Sequence, residues 1–183
     1  MERFRFSLTD AEKSALKELV WRRIMDRLNG RDTGVPEPLT DVLREPYGAF
    51  VTLKRRDQLR GCIGHIVADR PLWDNVADMA LAAAFDDPRF APLTRAELDG
   101  LEVEITVLSP LAPCPDPERI EVGRHGLFLR RGMHSGLLLP QVAVEWGWDR
   151  RTFLRQTCRK AGLPEDAWRD AKTDIYWFEG VVF

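Results

Sequence analysis

The residues with the clearest chemical potential lie in the hexapeptide LRGCIG, residues 59–64. Alternate residues of a strand face the same way, so Arg60 and Cys62 share one face if Leu59 and Ile63 point into a core. A guanidinium beside a thiol favours the thiolate. We therefore expect the pKa of Cys62 to lie below the value of about 8.5 that a free cysteine has. The hexapeptide predicts a thiol nucleophile or a small anion-binding site.

Gly61 and Gly64 support a functional interpretation of the same strand. Interior glycines weaken a strand and usually mark a bulge, a tight bend, or a place where a ligand or another backbone comes close. A structural interpretation is also open, because cysteine is among the most buried residue types and acts mostly as a small hydrophobe. Arg60 can equally be an ordinary charge on an edge strand. A lone cysteine without a placed base is a weak sign of a nucleophile.

A base for the thiol would have to come from one of three histidines. His125 is the best candidate, because it lies between Gly123 and Gly126, where backbone can approach a partner closely. Strand alternation places His65 on the face opposite the thiol, and His134 sits in a glycine-flanked segment that is typical of an exposed hairpin tip. A polar turn residue remains the alternative interpretation of His125.

Composition argues against several function classes. The net charge of −2 provides no basic field for nucleic acid, and no apolar run is long enough to cross a bilayer. The three cysteines, Cys62, Cys114 and Cys158, are an odd number without a C-x-x-C pair, which predicts free thiols. No two potential ligands have the spacing of a zinc or iron motif, so we expect neither a metal nor a cofactor. The chain begins without a signal-peptide core, and we expect a cytoplasmic protein.

Capping signals in the sequence predict where the helices that position these residues begin and end. Thr9 and Glu12 form a capping box, and apolar residues at helical spacing then continue to an Asn-Gly stop. This pattern predicts a helix over residues 10–28. A second helix is predicted to begin with Asp69 as its cap and to end at residues 86–88, because the residue before a proline is driven out of the helical region.

The remaining pattern predicts an α+β fold. A capping box at residues 94–97 opens a short helix, and Asp149 caps a longer one that ends at Gly162. Strands are predicted at residues 49–54, 58–67, 102–108, 120–122, 127–129, 137–139 and 175–183. Because strands and helices follow no regular βαβ order, we expect a two-lobed single domain over residues 1–183, with antiparallel or mixed sheets packed against helices. The proline-rich connector at 110–118 is the expected boundary between the lobes.

The same residues resemble the AMMECR-type family, whose bacterial and archaeal members are called AmmeMemoRadiSam system protein A. The hexapeptide looks like the signature of that family, and the likeness continues through residues 87–93, 122–127, 138–143 and 148–163. The resemblance implies a two-lobed α+β fold with the signature residues gathered at a cleft. It implies no established activity. The name of the system implies genomic company with a Memo-type protein and a radical S-adenosylmethionine protein.

Two functions stay open, and they leave undecided whether the protein is an enzyme. In the first, a thiol-dependent enzyme acts in a modification or redox pathway with the Memo-type and radical S-adenosylmethionine proteins. Cys62 is then the nucleophile, Arg60 binds an anionic substrate or stabilises the thiolate, and His125 transfers protons. In the second, the protein is a non-catalytic ligand- or protein-binding accessory subunit of that system. The predicted binding positions are Arg60, Gly61, Gly64, Gly123 and Gly126.

Overall fold

The computed structural model describes residues 7–67 and 69–183, which fall into two compact units. The N-terminal unit comprises Ser7–Leu108 together with Val181–Phe183, and the C-terminal unit comprises Ser109–Gly180. Each unit contains helices and antiparallel strands. The predicted α+β fold class is therefore confirmed.

The N-terminal unit begins with helix α1, Asp10–Leu28, whose bounds are those that the sequence predicts. The capping box is formed as expected: the backbone N–H of Glu12 donates to Thr9 Oγ1 at 3.3 Å, and the backbone N–H of Thr9 donates to Glu12 Oε2 at 2.7 Å. The apolar face of α1 is buried and packs against helix α2, Leu72–Leu81. Local signals therefore place α1, and packing against a neighbour stabilises it.

A β-hairpin carries the hexapeptide. Strand β1, Gly48–Arg55, pairs antiparallel with β2, Gln58–His65, and also with β3, Leu101–Leu108, so β2 lies at the end of the strand order β2-β1-β3. The turn residues Arg56 and Asp57 have φ angles of 52° and 62°. Two left-handed residues give a turn whose twist matches the twist of the paired strands.

The start of α2 differs from the prediction that Asp69 caps it. Pro71 occupies the N-cap position without a side-chain hydrogen bond, and the backbone N–H of Leu72 donates to the carbonyl of Glu45 at 2.8 Å. A tertiary acceptor thus replaces the expected local cap. At its other end α2 continues into a π-helical turn, Ala82–Asp86, and the helical segment ends before Pro88, as predicted.

The C-terminal unit is built on antiparallel strands. Strand β5, His125–Arg131, lies between β6, His134–Leu138, and β7, Asp174–Val182, and the short β4, Ala112–Pro113, pairs with β7. The residues of β7 beyond Gly180 belong to the N-terminal unit.

The strand predicted at residues 120–122 is wrong. A 3-10 turn, Pro117–Arg119, precedes Ile120, and the carbonyl of Glu121 then accepts hydrogen bonds from the backbone N–H groups of Arg124 and His125 at 3.2 and 3.0 Å. The chain therefore turns back at Glu121 instead of extending, and this turn delivers His125 to the start of β5.

Two helices pack against these strands. Helix α4, Arg150–Lys160, begins as predicted, because the backbone N–H of Thr152 donates to Asp149 Oδ1 at 2.7 Å. Helix α3, Pro140–Glu145, is a short element that the sequence pattern does not predict. The fully buried side chains of this core include Leu127, Leu129, Phe153, Leu154 and Cys158.

Candidate functional site

The guanidinium of Arg60 is bound within the N-terminal unit. Its Nε donates to Glu97 Oε1 at 2.6 Å, and its Nη2 donates to Glu97 Oε2 at 3.2 Å and to the carbonyl of Ala91 at 2.8 Å. The hydrogen bond from Arg60 is the main reason that the pKa of Glu97 falls from 4.5 to about 2. Arg60 Nη1 is buried without a hydrogen-bond partner among the described residues. The side chain that was predicted to bind an anionic substrate therefore already holds a carboxylate of its own unit.

A β-bulge changes the predicted alternation in β2. Leu53 pairs with Gly61 and Lys54 pairs with Leu59, so Arg60 is an extra residue on its strand. Leu59 is 44% exposed, so the assumption that it points into a core is wrong. Because a bulge re-aims side chains, the simple period of two cannot place Arg60 relative to the thiol.

The backbone of Cys62 is held by the pair of Asp87 and Arg89. Cys62 N–H donates to Asp87 Oδ2 at 2.9 Å, and Arg89 Nη2 donates to the Cys62 carbonyl at 3.1 Å. Since β2 is the end strand, these two bonds satisfy an edge that would otherwise need another partner. The thiol itself lies 3.2 Å from Thr52 Oγ1, and either atom can donate.

Asp87 is a heavily bonded carboxylate near the hexapeptide. Its side chain is buried, and besides the Cys62 amide it accepts from the backbone N–H of Arg89 at 3.1 Å, from Arg89 Nε at 2.9 Å and from Arg89 Nη2 at 2.7 Å. The hydrogen bond from Arg89 is the largest cause that holds the pKa of Asp87 well below its usual range. Sequence reasoning assigned this segment to a helix end and to the family resemblance, without a role for either side chain; an Asp two residues before an Arg was the available signal.

The glycines of the hexapeptide accommodate the protein itself. A Cβ on Gly61 would lie 2.0 Å from the carbonyl oxygen of Ala83, in the π-helical turn. A Cβ on Gly64 would lie 2.4 Å from the carbonyl oxygen of Ala49 and from the ring of Phe50. The predicted close approach is thus made by the protein's own chain. We call residues 59–64 the signature strand, and its close neighbours here are Ala83, Ala49 and Phe50.

The C-terminal unit contains a cavity of about 720 Å³. Its walls come from the proline-rich connector, the turn before β5, the first residue of α4 and strand β7. The lining residues are Ser109, Pro110, Ala112, Pro113, Pro115, Glu118, Arg119, Ile120, Glu121, Arg124, His125, Arg150, Trp177, Phe178 and Glu179. We call this space the C-terminal cavity. Its volume lies within the range of about 300–1,000 Å³ that is usual for small-molecule sites.

His125 lines the C-terminal cavity as a neutral hydrogen-bond donor. The side chain is 6% exposed, and the backbone N–H of Glu121 donates to its Nδ1 at 3.0 Å. Burial, followed by the charge of Arg124, lowers the pKa of His125 below 6.5. Because Nδ1 accepts a hydrogen bond, the proton of the neutral ring resides on Nε2. The ring therefore offers an N–H group, whereas a general base would offer a free lone pair.

Two of the three arginines that line the cavity are paired with carboxylates. Arg124 Nε donates to Glu179 at 2.7 Å and Arg124 Nη1 donates to Glu121 at 2.8 Å. Arg150 binds both the carboxylate and, at 2.5 Å, the carbonyl oxygen of Glu118.

The third arginine, Arg119, lies 5.8 Å from the centre of the Trp177 ring. Within the described part of the chain it makes no ion pair with a carboxylate.

The two glycines that flank His125 also have structural roles. Gly123 has a φ of +85°, which L side chains rarely adopt, and its Cβ would lie 3.0 Å from Val144 Cγ2. A Cβ on Gly126 would lie 2.2 Å from the ring of Phe178. Gly126 therefore allows the close packing of β5 against β7, and Gly123 allows the turn that precedes it.

The remaining cysteines and histidines lie in environments that are typical of packing or surface residues. Cys158 is buried, and burial is the first cause that raises the pKa of its thiol; the same holds for the half-buried Cys114. His65 Nδ1 lies 3.3 Å from Asn75 Oδ1, and His134 is exposed in the β5–β6 hairpin.

Neither a metal site nor a membrane-spanning helix is present among the residues that the structure describes. No three side chains of His, Cys, Asp or Glu come together there as possible metal ligands. Over the same residues, every helix is too short or too polar to pass through a bilayer.

The predicted site residues are divided between the two units. Arg60, Gly61, Cys62 and Gly64 belong to the N-terminal unit, whereas Gly123, His125 and Gly126 belong to the C-terminal unit. Sequence reasoning missed the partners that define each environment. These partners are Asp87, Arg89 and Glu97 around the signature strand, and Arg119 and Trp177 in the C-terminal cavity.

Comparison with known proteins identifies relatives along almost the whole chain. Residues 17–183 match the protein-family model described as AMMECR1. Protein NEQ441 of Nanoarchaeum equitans is 46% identical over 170 residues, which are 88% of this chain and 94% of that protein. A protein of Methanothermobacter thermautotrophicus is 43% identical over 183 residues, covering 96% and 95%. The crystal structure of the uncharacterized protein PH0010 from Pyrococcus horikoshii superposes with a TM-score of 0.84 at 41% identity, covering 97% of this chain and 93% of that one.

Proposed function

The chain belongs to the AMMECR1 family, and we propose that it acts as a non-catalytic binding subunit whose ligand site is the C-terminal cavity. One observation carries this proposal: most polar groups of the signature strand are engaged inside their own unit, and Arg60 Nη1 is a buried donor there without a hydrogen-bond partner among the described residues. Arg60 holds Glu97, the Cys62 amide holds Asp87, and the Cys62 carbonyl accepts from Arg89. A site in which most donors are already engaged has little left with which to recognise a substrate.

The surroundings of the thiol also favour binding over catalysis. Over the described residues, the thiol of Cys62 makes one hydrogen bond, to the hydroxyl of Thr52. A hydroxyl is a poor general base near neutral pH, whereas an activated thiol usually has a histidine or another base within reach. His125, the predicted base, carries its proton on Nε2. Cys62 therefore serves as a packing residue in this proposal.

The setting of the protein is part of the same proposal. We place it in the cytoplasm, as an accessory subunit that works with a Memo-type protein and a radical S-adenosylmethionine protein and needs neither nucleic acid nor a membrane. The family resemblance supports these partners, and the net charge of −2 supports the exclusion of nucleic acid. Filter binding with DNA and RNA over a range of salt concentrations should give no salt-dependent signal.

The replacement Cys62→Ser tests whether the thiol is needed. We expect the purified variant to unfold at nearly the same urea concentration as the wild type, and to capture the purified Memo-type and radical S-adenosylmethionine proteins equally well in a pull-down. Glu97→Gln is the matched control, because it weakens the ion pair that holds Arg60 of the signature strand and leaves the thiol of Cys62 in place. Loss of capture by a folded Cys62→Ser variant, or no capture by the wild type, would contradict the proposal.

A thiol-dependent enzyme is a second candidate function, and one observation favours it. The guanidinium of Arg89 is about half exposed and is bound at the carbonyl of Cys62, and the thiol is only partly buried. In this alternative Cys62 is the nucleophile and Arg89 stabilises the thiolate, a role that the sequence analysis assigned to Arg60.

The pH dependence of alkylation separates the two functions. If Cys62 is a packing residue, Arg89→Gln should leave the rate at which iodoacetamide modifies it unchanged at every pH tested. Cys114 and Cys158, followed by mass spectrometry in the same samples, are internal references with raised thiol pKa values. A rate that falls in Arg89→Gln, most of all at the acid end of the pH range, would favour the enzyme.

A further inference from the structure

The charges that line the C-terminal cavity are balanced but are not equally engaged. Three arginines face three glutamates there: Arg124 is bonded to Glu121 and Glu179, and Arg150 is bonded to Glu118. Arg119 remains as the cavity arginine without a carboxylate partner in the part of the chain that the structure describes. The cavity therefore presents one available positive charge.

The charge of Arg119 and the hydrogen-bond donor of His125 both pack against Trp177 in the wall of the cavity. The imidazole ring of His125 lies 4.5 Å from the Trp177 ring, centre to centre, and the guanidinium of Arg119 lies 5.8 Å from the same ring. A cation held over an aromatic face has lost part of its freedom before any ligand arrives, which lowers the entropic cost of binding. His125 adds an N–H donor without adding a second charge, because its ring is neutral.

The remaining wall of the cavity is apolar and poor in donors. Pro110, Pro113 and Pro115 have no backbone N–H and present the hydrocarbon of their rings. A ligand that fills this space gains from burying an apolar body there and cannot satisfy many polar groups against it.

From these contacts we propose that the C-terminal cavity binds a small organic carboxylate. The carboxylate pairs with Arg119 and accepts a hydrogen bond from His125 Nε2, and the apolar body of the ligand lies against the prolines. This inference rests on the proposed function, since it names the ligand class of the binding subunit. A phosphate dianion fits less well: it needs a second unpaired cation, and Glu118, Glu121 and Glu179 disfavour additional negative charge.

Titration calorimetry with matched pairs of probes tests the ligand class. The acids are benzoate, 3-phenylpropionate and indole-3-acetate, and each is compared with its own primary amide and with inorganic phosphate. We expect at least one acid to bind the wild type with a Kd of about 1 mM or below, and its amide to bind at least about tenfold more weakly, because the amide has no charge for Arg119.

Arg119→Gln should weaken binding of that acid at least about tenfold. Arg130→Gln is the matched control. Arg130 lies 5.7 Å from the ring of Tyr176, which is the neighbour of Trp177 on β7, but Arg130 does not line the cavity. That control should leave the affinity within about twofold. Urea unfolding of both variants verifies that they are folded.

Three results would overturn the ligand class: no acid binding below about 10 mM, an amide binding as tightly as its acid, or phosphate binding more tightly than every acid. These failures are distinct from failure of the proposed function. If Cys62→Ser keeps its partners while no acid binds, only the ligand class is wrong. If acids bind through Arg119 while Cys62→Ser loses its partners, the non-catalytic role is wrong and the ligand class stands.

Discussion

In the signature strand Arg60 donates to Glu97 and to the carbonyl of Ala91, whereas in the C-terminal cavity Arg119 lies over the ring of Trp177 without an ion pair among the described residues. Both regions contain arginine and a second residue with catalytic potential, Cys62 in one and His125 in the other. The first region engages most of its polar groups internally, and the second lines a cavity with polar groups. Residue types alone do not separate these two cases.

The contrast between the signature strand and the C-terminal cavity shows that hydrogen-bond partners determine what a polar residue can do. Asp87, Arg89 and Glu97 together stabilise β2, the end strand that carries Cys62, against the rest of its unit. A buried carboxylate that accepts several hydrogen bonds is a strong structural element, because removing its partner leaves a desolvated charge. The signature strand is therefore expected to respond to mutation mainly through stability, and the C-terminal cavity mainly through binding.

The largest effect is expected for Gly61→Ala. The new Cβ would lie 2.0 Å from the carbonyl oxygen of Ala83, and backbone cannot move aside as a flexible side chain can. We expect a loss of about 3 kcal/mol or more in the free energy of unfolding, measured by urea denaturation. Gly100→Ala is the control: nothing lies within 4 Å of its Cβ position, so only its φ of +72° costs energy, about 1 kcal/mol. A smaller loss in Gly61→Ala than in Gly100→Ala would contradict the close contact.

Asp87→Asn should give the next largest effect. The amide cannot replace the charge-assisted bonds from Arg89, so we expect a loss of about 2 kcal/mol at neutral pH in the same measurement. Asp86→Asn changes the neighbouring exposed carboxylate and should stay within about 0.5 kcal/mol of the wild type. Equal losses in the two variants would mean that the bonds to Cys62 and Arg89 do not support the strand.

The sequence predicts the local parts of the signature strand and misses its long-range parts. The bounds of α1 and the β1–β2 hairpin follow from a capping box and a period of two, which depend on neighbouring residues. The partner of Arg60 is 37 residues away, and the acceptor for the amide of Cys62 is 25 residues away. No spacing rule connects such residues, because tertiary packing brings them together.

The C-terminal cavity illustrates the same limit in another way. The sequence singled out His125 between two glycines, but it could not show that Nδ1 accepts the amide of Glu121, which fixes the position of the proton. This contact was missed because residues 120–122 were predicted as a strand. The alternation of Ile, Glu and Val is typical of an extended segment, whereas the hydrogen bonds of the folded chain make a turn there. Arg119 and Trp177 gave no motif at all, since they meet only through the fold.

Glu97→Gln should have an effect of about 1 kcal/mol that depends on pH, because Arg60 and Glu97 are only partly exposed. The folded-state pKa of Glu97 is lowered to about 2, so the ion pair stabilises the protein fully above 4.5 and loses this contribution as the pH falls towards 2. The wild type and Glu97→Gln should therefore differ at neutral pH and converge in acid. Glu102→Gln, at an exposed position of β3, is the control and should follow the wild type throughout. A constant difference over the whole pH range would contradict the role of the charge.

The smallest effect concerns His125, and it distinguishes the cavity from the signature strand by its pH range. Burial lowers the pKa of the folded-state imidazole below 6.5, so the unfolded chain binds the proton more readily and stability should decrease as the pH falls below 6.5. Between about pH 7.5 and 5.5 we expect the wild type to lose less than about 1 kcal/mol from this residue, measured by urea unfolding. His125→Gln should be less stable overall but should lack this slope, while His134→Gln, in the exposed hairpin, should keep it. If the slope is the same in His125→Gln as in the wild type, the imidazole is not the buried neutral donor on which carboxylate binding depends.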